Sequence, residues 1–448
     1  MLPISDIPLR LHEFAEQFRD VFKHSAQREY FEIILTGLIA SENRTLAGIH
    51  QRLVKDLDYG GLHHFMTDSP WSYDALRQTR LEWTSKRLAS KSGKLLKVVA
   101  IDSTLIHHYG EKIHGVYWYY DYVNRNFCLG QKLVAATFVS PGVTVPLGME
   151  LYHRGFLNEQ KLYLEATKPA ANAAQEEWDE FHSLVKRYEE NREQHRTQLD
   201  LAGDLVDECE RHVISVDAYV LDGAFLDIKL MERIESHGRA WVTRLAKNRH
   251  VQLPSGKFDT VDVFAKSLPR EAFQPVTLRT KLGEERTYWV FAKNTKVKFW
   301  KKLRVVMSYD NPQLEGEPRF FVSNKLNWIQ AHKILQPYLY RDPIEHFFRD
   351  GKQEVGFESC QQRKEQAVLR YWELCFVAYA YLELVCQVDY PDGMKPFLID
   401  TIGQKCRSTE MKLLQAFITT VMNVILEGRD PKELLDQLTK KRLNGFAC

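Results

Sequence analysis

The sequence predicts an α/β protein, in which a mixed sheet lies between helical N-terminal and C-terminal parts and is interrupted by a β-rich segment. Near the start of the chain, apolar side chains recur at a helical period, as at Leu11, Phe14, Phe18 and Phe22. Buried-strand patterns then alternate with helical patterns up to about residue 250. From about 330 to 448 the pattern is helical again.

These patterns divide the chain into five parts. We expect a helical N-terminal domain at 1–92, the first part of the core at 93–250, a β-rich insertion at 251–325, the second part of the core at 326–390 and a helical C-terminal region at 391–448. Lys91–Lys94 is the predicted linker after the first part. The predicted strands of the core are Lys97–Asp102, Leu133–Val139, Val143–Leu151, Val213–Leu221 and Ala240–Leu245.

The charge balance restricts how the chain could bind nucleic acid. It carries 61 basic and 59 acidic residues, a net charge of +2, so the whole chain is not a polycation. Any nucleic-acid surface must therefore be a local patch. One such cluster lies in the β-rich segment, as Lys293, Lys296, Lys298, Lys301, Lys302 and Arg304.

Cysteine usage and hydropathy predict a cytoplasmic protein with free thiols. The seven cysteines form no CxxC pair, and Met1 is followed by a start that contains Pro and charged residues rather than by an apolar signal. The most apolar windows, Ile33–Ala40 and Leu374–Cys386, are too short to span a membrane. We expect both windows to be buried helices.

A short segment near residue 340 combines groups suited to phosphodiester chemistry. Glu345 could hold a divalent cation, while Arg341 and Lys352 could grip a phosphate. Asp342 and Pro343 predict a helix start there, and a buried stripe follows at helical spacing: Ile344, Phe347, Phe348 and Val355.

The helical phase places the charged groups together. At 100° per residue, Glu345 and Lys352 lie about 20° apart on a flank of the buried stripe, and Arg349 lies on the same flank. The segment alone also permits a purely structural interpretation. Glu345 could close a capping box with Asp342, or form an exposed pair with Arg349.

Two upstream acids support a functional interpretation. Asp102 follows the buried run Val-Val-Ala-Ile, and Asp222 follows Ala-Tyr-Val-Leu and precedes Gly223. Acids at the carboxyl ends of neighbouring strands point into one crevice. Asp217 is an alternative for the second acid, although the turn and helix that follow favour Asp222. Three carboxylates gathered together would repel one another, so Mg²⁺ or Mn²⁺ is the expected partner.

With these residues in place, the chain resembles a bacterial insertion-sequence DDE transposase with an RNase H-like catalytic core. It is most similar to the subgroup whose third acid lies in a Tyr-x2-Arg-x3-Glu-x6-Lys signature, matched here by Tyr338, Arg341, Glu345 and Lys352. Further similar segments are Val99–Thr104, Asp222–Phe225, Val242–Leu245, Phe347–Gln353 and His63–Trp71.

The resemblance implies a mechanism. Asp102, Asp222 and Glu345 would hold two Mg²⁺ or Mn²⁺ ions about 3.5–4 Å apart. Water, and later a DNA 3′-hydroxyl, would attack in line, which gives cleavage at terminal inverted repeats and strand transfer into target DNA. Tyr338, Arg341 and Lys352 would contact phosphates of double-stranded DNA.

The resemblance also implies partners and a location. The helical N-terminal domain would help recognise the inverted repeats, and pairing of two DNA ends would require a homodimer. The protein would be cytoplasmic and associated with the nucleoid, without a membrane partner. Two alternatives stay open: a catalytically silent DNA-binding derivative of such an enzyme, and a metal-dependent nuclease that does not transfer strands.

Secondary candidates lie in and near the insertion. Lys298, Lys301 and Lys302 are candidate phosphate contacts, and Trp300 is a candidate for stacking on a flipped base, although Trp on a β-rich element is more often packed. Arg349 is a further candidate DNA contact. One departure from the family pattern is Asp342-Pro343, where relatives commonly have an aromatic residue after the signature arginine.

The histidines show no zinc-site spacing. We therefore expect His107, His108 and His114 to be structural, while His346, beside Glu345, is a candidate for DNA contact or proton transfer.

Overall fold

The computed structural model describes residues 2–90, 95–154, 157–212, 216–279, 283–390 and 400–444. The predicted linker Lys91–Lys94 and the first residues of the predicted strand Val213–Leu221 lie outside these ranges. The N-terminal helices are α1 (Leu9–Ala15), α2 (Ser25–Ala40), α3 (Leu46–His50), α4 (Tyr59–Thr67) and α5 (Tyr73–Ser90).

The middle of the chain alternates strands and helices. Its elements are β1 (Val98–His107), β2 (Tyr117–Asp121), β3 (Asn126–Ser140), β4 (Val143–Tyr152), α6 (Leu157–Thr167), α7 (Gln175–Gln194), α8 (Gln198–His212), β5 (Ala218–Leu221), α9 (Ile228–Ser236) and β6 (Ala240–Arg244).

Short strands follow, and the chain then ends in helices. These elements are β7 (His250–Gln252), β8 (Phe258–Thr260), α10 (Val261–Lys266), β9 (Gln274–Arg279), β10 (Glu285–Lys296), β11 (Lys302–Tyr309), β12 (Arg319–Ser323), α11 (His332–Leu339), α12 (Asp342–Glu354), α13 (Glu365–Leu384), α14 (Ile402–Leu426) and α15 (Pro431–Asn444).

Ten of the described strands form one mixed sheet. Its core has the order β4-β3-β1-β5-β6, in which β3 is antiparallel to both β4 and β1, while β1, β5 and β6 run parallel. Parallel neighbours need helical crossovers, which α8 and α9 provide. Three antiparallel strands followed by two parallel ones form an RNase H-like core, so the predicted fold class is confirmed.

The β-rich stretch continues this sheet. Strand β12 pairs antiparallel with β6, and β11, β10 and β9 follow outward in that order. Only β7 and β8 pair separately, as a two-stranded sheet, among the strands described. The strands around 285–309 therefore lie at one edge of the sheet that holds the core.

The first strand is longer than the sequence pattern indicated. The prediction that Asp102 ends its strand is wrong, because β1 continues to His107 and pairs with β3 as far as Gly130. Strand β2, which pairs with the outer half of β3, was not predicted at all. Its sequence, Tyr-Trp-Tyr-Tyr-Asp, lacks the buried apolar run used to recognise the other strands.

The sheet separates two hydrophobic cores. On one face, the N-terminal helices, α12 and α13 pack into a core that includes Phe31, Phe347 and Trp372. On the other face, α8 and α9 pack into a second core that includes Leu205 and Trp241. The predicted window Leu374–Cys386 lies in the buried helix α13 except for its last two residues.

Helix α13 connects the N-terminal helices to the sheet. It packs against α2, α4 and α5 and against β4. Within this interface, Arg80 of α5 donates to Glu373 of α13, with Nε 2.5 Å from Oε1, and also donates to the carbonyls of Pro146 and Leu147, each at 3.0 Å. Both charged side chains are buried, at 0% and 2% exposure.

Two further sequence expectations can be compared with the structure. The described cysteines, six of the seven, are all free thiols, as predicted. Within the described ranges, no helix is both long enough and apolar enough to cross a membrane.

We predict that Glu373→Ala lowers the free energy of unfolding by about 3–5 kcal/mol, because it leaves Arg80 charged, buried and without its carboxylate partner. Lys247→Ala is the control, since Lys247 pairs with Glu317 in an exposed position and should change stability by less than about 1 kcal/mol. Urea unfolding followed by circular dichroism measures both. Equal effects would contradict a special role for the buried pair.

Candidate active site

Strand register brings the two aspartates together. Ile101 and Leu221 form the last parallel pair of β1 and β5, so Asp102 and Asp222 are the next residues on adjacent strands. The hydroxyl of Thr243 donates to the backbone oxygen of Asp222 at 3.0 Å, which fixes the turn after β5. Asp102 and Asp222 therefore face one crevice.

Asp217 lies at the opposite end of β5. Its carboxylate accepts a hydrogen bond from the backbone N–H of Lys97 at 2.8 Å, just before β1 begins. This contact gives Asp217 a structural role in aligning the two strands. The geometry therefore favours Asp222 over Asp217 as the neighbour of Asp102.

The ionised form of Asp102 is unfavourable in its buried surroundings. Burial raises the pKa of Asp102, and the nearby Asp222 adds to the rise. Arg341 and the backbone N–H of Ser103 act in the opposite direction, because both stabilise the ionised form. A nearby positive charge therefore favours the ionised form of Asp102.

Arg341 supplies that charge and connects two acids. Its Nη2 lies 2.5 Å from Oδ2 of Asp102, and its Nη1 lies 2.9 Å from Oε1 of Glu345. Arg341 and Asp102 are largely buried, with 13% and 14% of their side chains exposed, whereas Glu345 is 59% exposed. Burial lowers the pKa of Arg341, but the surrounding acids, Asp102 first, raise it above its usual value.

Helix α12 presents Glu345 from its first turn. The predicted helix is present, with Ile344, Phe347 and Phe348 buried. Its predicted N-cap is wrong: Arg341 already has helical dihedral angles and occupies the cap position, and no side-chain capping bond forms. The capping-box interpretation of Glu345 is therefore excluded, because its carboxylate pairs with Arg341.

The donor set fits a hard divalent cation. Asp102, Asp222 and Glu345 offer carboxylate oxygens, the ligands that Mg²⁺ and Mn²⁺ prefer. Among the described residues, these acids do not belong to the groups whose ligand atoms all lie within 4.8 Å of one another. Arg341 lies between Asp102 and Glu345, so its guanidinium occupies the position where the carboxylates would share a cation.

Tyr338 borders a small cavity beside the acids. The cavity measures about 190 Å³ and is lined by Tyr338, Arg341, Arg244 and Arg319, among others. The hydroxyl of Tyr338 is buried and has no hydrogen-bond partner among the described residues. Burial raises the pKa of Tyr338, so the phenol stays protonated and able to donate.

Arg244 was missed by the sequence reasoning. It is the last residue of β6 and follows Thr243, which pairs with Leu221, so Arg244 is the neighbour of Asp222 across the sheet edge. Asp102, Asp222 and Arg244 thus lie one residue beyond the last parallel pairs that join β1, β5 and β6. The available signal was a charged residue after the buried run Ala-Trp-Val-Thr.

Lys352 and Arg349 differ although both were predicted on one flank of α12. Lys352 donates to the carbonyl oxygen of Leu105 at 2.7 Å, against β1 and three residues beyond Asp102. Burial lowers the pKa of Lys352. Arg349 instead lies exposed and pairs with Asp350 at 3.1 Å. Of these two cations, only Lys352 touches the strand that carries Asp102.

Trp300 is packed in the second core. Its ring stacks on Trp241, with centroids 5.7 Å apart and planes 12° from parallel. Stacking of a flipped base on Trp300 stays a prediction, and the contact with Trp241 favours the packing alternative.

The neighbouring lysines have local partners. Lys301 pairs with Glu235 of α9, and the Lys298 ammonium lies 5.1 Å from the ring centroid of Phe299. Lys302 is exposed at the start of β11. Nothing in this arrangement connects the three lysines with the three acids, so their role as phosphate contacts stays a prediction.

The histidines also have local partners or lie in solvent. His107 lies 3.1 Å from Asp121, and His108 lies 2.6 Å from Gln131, as expected for structural residues. His346 is exposed beside Glu345.

Comparison with known proteins identifies the family. Residues 17–262 match the DDE superfamily endonuclease model, and residues 178–381 match the transposase DDE domain model. A protein of Microchaete diplosiphon, described as a probable transposase for insertion sequence element IS701, is 26% identical over 354 residues, which cover 77% of this chain and 80% of that protein. The first match spans more than half of the chain, and the chain therefore belongs to the DDE superfamily endonucleases, the family of insertion-sequence transposases.

Proposed function

We propose that this transposase cleaves DNA at the terminal inverted repeats of its element and joins the free 3′-ends to target DNA, with Asp102, Asp222 and Glu345 as the metal-binding acids. The observation that carries the proposal is the convergence of these residues around Arg341. Asp102 and Asp222 are neighbours by strand register, and Glu345 reaches the same guanidinium as Asp102.

The acids would hold Mg²⁺ or Mn²⁺, in two positions. When bound, such ions lower the pKa of an attacking water, polarise the phosphate and stabilise the departing oxygen. The protein positions the three acids. Strands β1 and β5 fix the two aspartates, while α12 presents the more exposed Glu345 at the mouth of the site.

The cationic residues would bind the DNA backbone. Arg341 has the planar fork that matches a phosphate in two hydrogen bonds, and Tyr338 has an unpartnered hydroxyl beside it. Lys352 lies against β1 next to the acids. These three residues support the Tyr-Arg-Glu-Lys subgroup assignment, which remains a proposal.

The remaining parts of the proposal concern assembly. The N-terminal helical domain would recognise the inverted repeats, and two copies of the chain would hold the two ends of the element together. Strand transfer requires both ends at one target, so a homodimer on DNA is the smallest assembly that satisfies this need.

The proposed metal-binding role of the three acids leads to a prediction about DNA cleavage. Asp102→Asn, Asp222→Asn and Glu345→Gln should each reduce cleavage of DNA carrying the element's own ends at least about 100-fold, because removing even an outer partner of a metal site costs 10–100-fold. Gel analysis of cut ends in Mg²⁺ measures the loss.

Each control variant changes an acid that lies on or beside the same structural element as one of the three acids. Asp217→Asn changes the opposite end of β5, and Asp350→Asn changes the acid that pairs with Arg349 further along α12. Both should cut within a few-fold of the parent. Full cleavage by any triad variant would overturn the assignment of that acid. Cleavage without joined products would favour a nuclease, and binding of the ends without Mg²⁺-dependent cleavage would favour a silent DNA-binding derivative.

The second prediction concerns Lys352. Lys352→Ala should weaken binding to all duplex sequences and reduce the slope of log affinity against log salt by about one, the amount expected for one lost phosphate contact. Fluorescence anisotropy across a salt series measures the slope. Lys247→Ala, an exposed lysine paired with Glu317, is the control and should leave the slope unchanged. An unchanged slope for Lys352→Ala would remove that residue from the DNA surface.

The third prediction separates stability from binding at Tyr338. Tyr338→Phe should leave the free energy of unfolding unchanged within about 1 kcal/mol, because the lost hydroxyl has no hydrogen-bond partner among the described residues. The same variant should bind end DNA more weakly. A loss of stability without weaker DNA binding would show that the hydroxyl serves the fold alone.

A further inference from the structure

A second group of ligand-type side chains lies apart from the three acids. His114 comes from the loop between β1 and β2, His153 follows β4 directly, and Glu365 is the first residue of α13. One ligand atom from each lies within 4.8 Å of the others. Nε2 of His114 lies 3.8 Å from Oε1 of Glu365, and the two imidazole centroids are 5.2 Å apart.

One ring nitrogen in this group lacks a hydrogen-bond partner. Nε2 of His114 is buried and makes no hydrogen bond to any described residue. The carboxylate of Glu365 is nearest, but 3.8 Å is too long for a hydrogen bond. Buried polar atoms almost always have a partner. A bound ion between His114, His153 and Glu365 would provide one.

The backbone around His114 is held in place. The buried side chain of Gln131 donates to the carbonyl of His114 and also contacts His108 at 2.6 Å. Gly115 follows with a φ of +75°, and a Cβ there would lie 2.6 Å from Leu151. The loop thus has a turn that needs glycine, and it presents His114 from a fixed backbone.

We propose that His114, His153 and Glu365 bind one Zn²⁺ ion, which ties the loop after β1 and the end of β4 to the start of α13. Two nitrogens and one carboxylate oxygen are a ligand set that zinc uses, whereas Mg²⁺ prefers oxygen alone. His153 and Glu365 also line a surface groove, and water in this groove would supply a fourth ligand.

The distances permit this coordination after small rotations. Ligand atoms of a tetrahedral zinc lie about 3.3 Å apart, given Zn–N and Zn–O bonds of about 2.0–2.2 Å. The observed separations are 3.8 Å for one pair and at most 4.8 Å for the others. His153 and Glu365 are exposed side chains, so both can rotate toward His114 without disturbing a core.

Two other groups of ligand-type side chains serve as controls: His12 with Glu16 and Glu32, and His107 with Asp121 and Cys128. His12 lies 2.9 Å from Glu32, and His107 lies 3.1 Å from Asp121, distances at which a hydrogen bond already forms. The carboxylate of Asp121 also accepts from the backbone of Val123 and the side chain of Asn124. These side chains already have partners and should not bind zinc.

The test measures the binding of zinc to the protein and uses no DNA. In an Asp102→Asn, Glu345→Gln background, which removes two of the proposed catalytic ligands, equilibrium dialysis with elemental analysis should give one Zn²⁺ per chain. His114→Ala and Glu365→Gln should each weaken that binding at least about tenfold. His12→Ala and His107→Ala should bind as the background protein does.

Co²⁺ spectra provide a second readout. The background protein should show the visible absorption of four-coordinate Co²⁺, and Glu365→Gln should lose it while its far-ultraviolet circular dichroism is unchanged. Unaltered zinc and cobalt binding in folded Glu365→Gln, or no zinc bound by the background protein, would overturn the proposal. Neither readout uses DNA or cleavage, so the zinc site and the proposed function can fail separately.

Discussion

The parallel pairing of β1 and β5 is the constraint on which the site depends. Val98–Ile101 and Ala218–Leu221 are completely buried, and their side chains alternate between the two cores. A slip of one residue would move every side chain to the opposite face, so the packing on both sides fixes the register. Asp102 and Asp222 are adjacent because they follow the last pair of this register.

The features that could be predicted from sequence are those encoded locally. Short apolar runs indicated β1, β5 and β6, helical spacing indicated α12, and a long apolar window indicated α13. The predicted acids Asp102 and Glu345 converge on Arg341, although 239 positions separate Asp102 from Arg341. A strand that is buried on both faces fixes the orientation of the residue next to its buried run, as at Asp102. A helix with one buried stripe likewise fixes the residues that flank the stripe, as at Glu345.

The features that could not be predicted depend on distant partners. The outer half of β1 and all of β2 pair with β3, and their sequences, Ser-Thr-Leu-Ile-His and Tyr-Trp-Tyr-Tyr-Asp, contain no continuous buried apolar run. Trp300 was a candidate for base stacking, with packing as the more frequent role of such a residue, and its ring stacks on Trp241 of β6, which is 59 residues earlier in the sequence. Such contacts depend on the order of the strands in the sheet, and the hydrophobic periodicity of the sequence does not encode that order.

Arg341 explains how the site tolerates its own charge. Three carboxylates around one crevice repel, and burial makes Asp102 costly to ionise. A guanidinium stays charged at any ordinary pH and can bridge two carboxylates, which a lysine cannot do in the same planar geometry. On the proposed function, divalent ions would take over the neutralisation of the acids. The fork of Arg341, beside the cavity lined by Arg244 and Arg319, would then be available to a DNA phosphate. Metal binding and DNA binding would therefore strengthen each other, because each removes a competitor of the other.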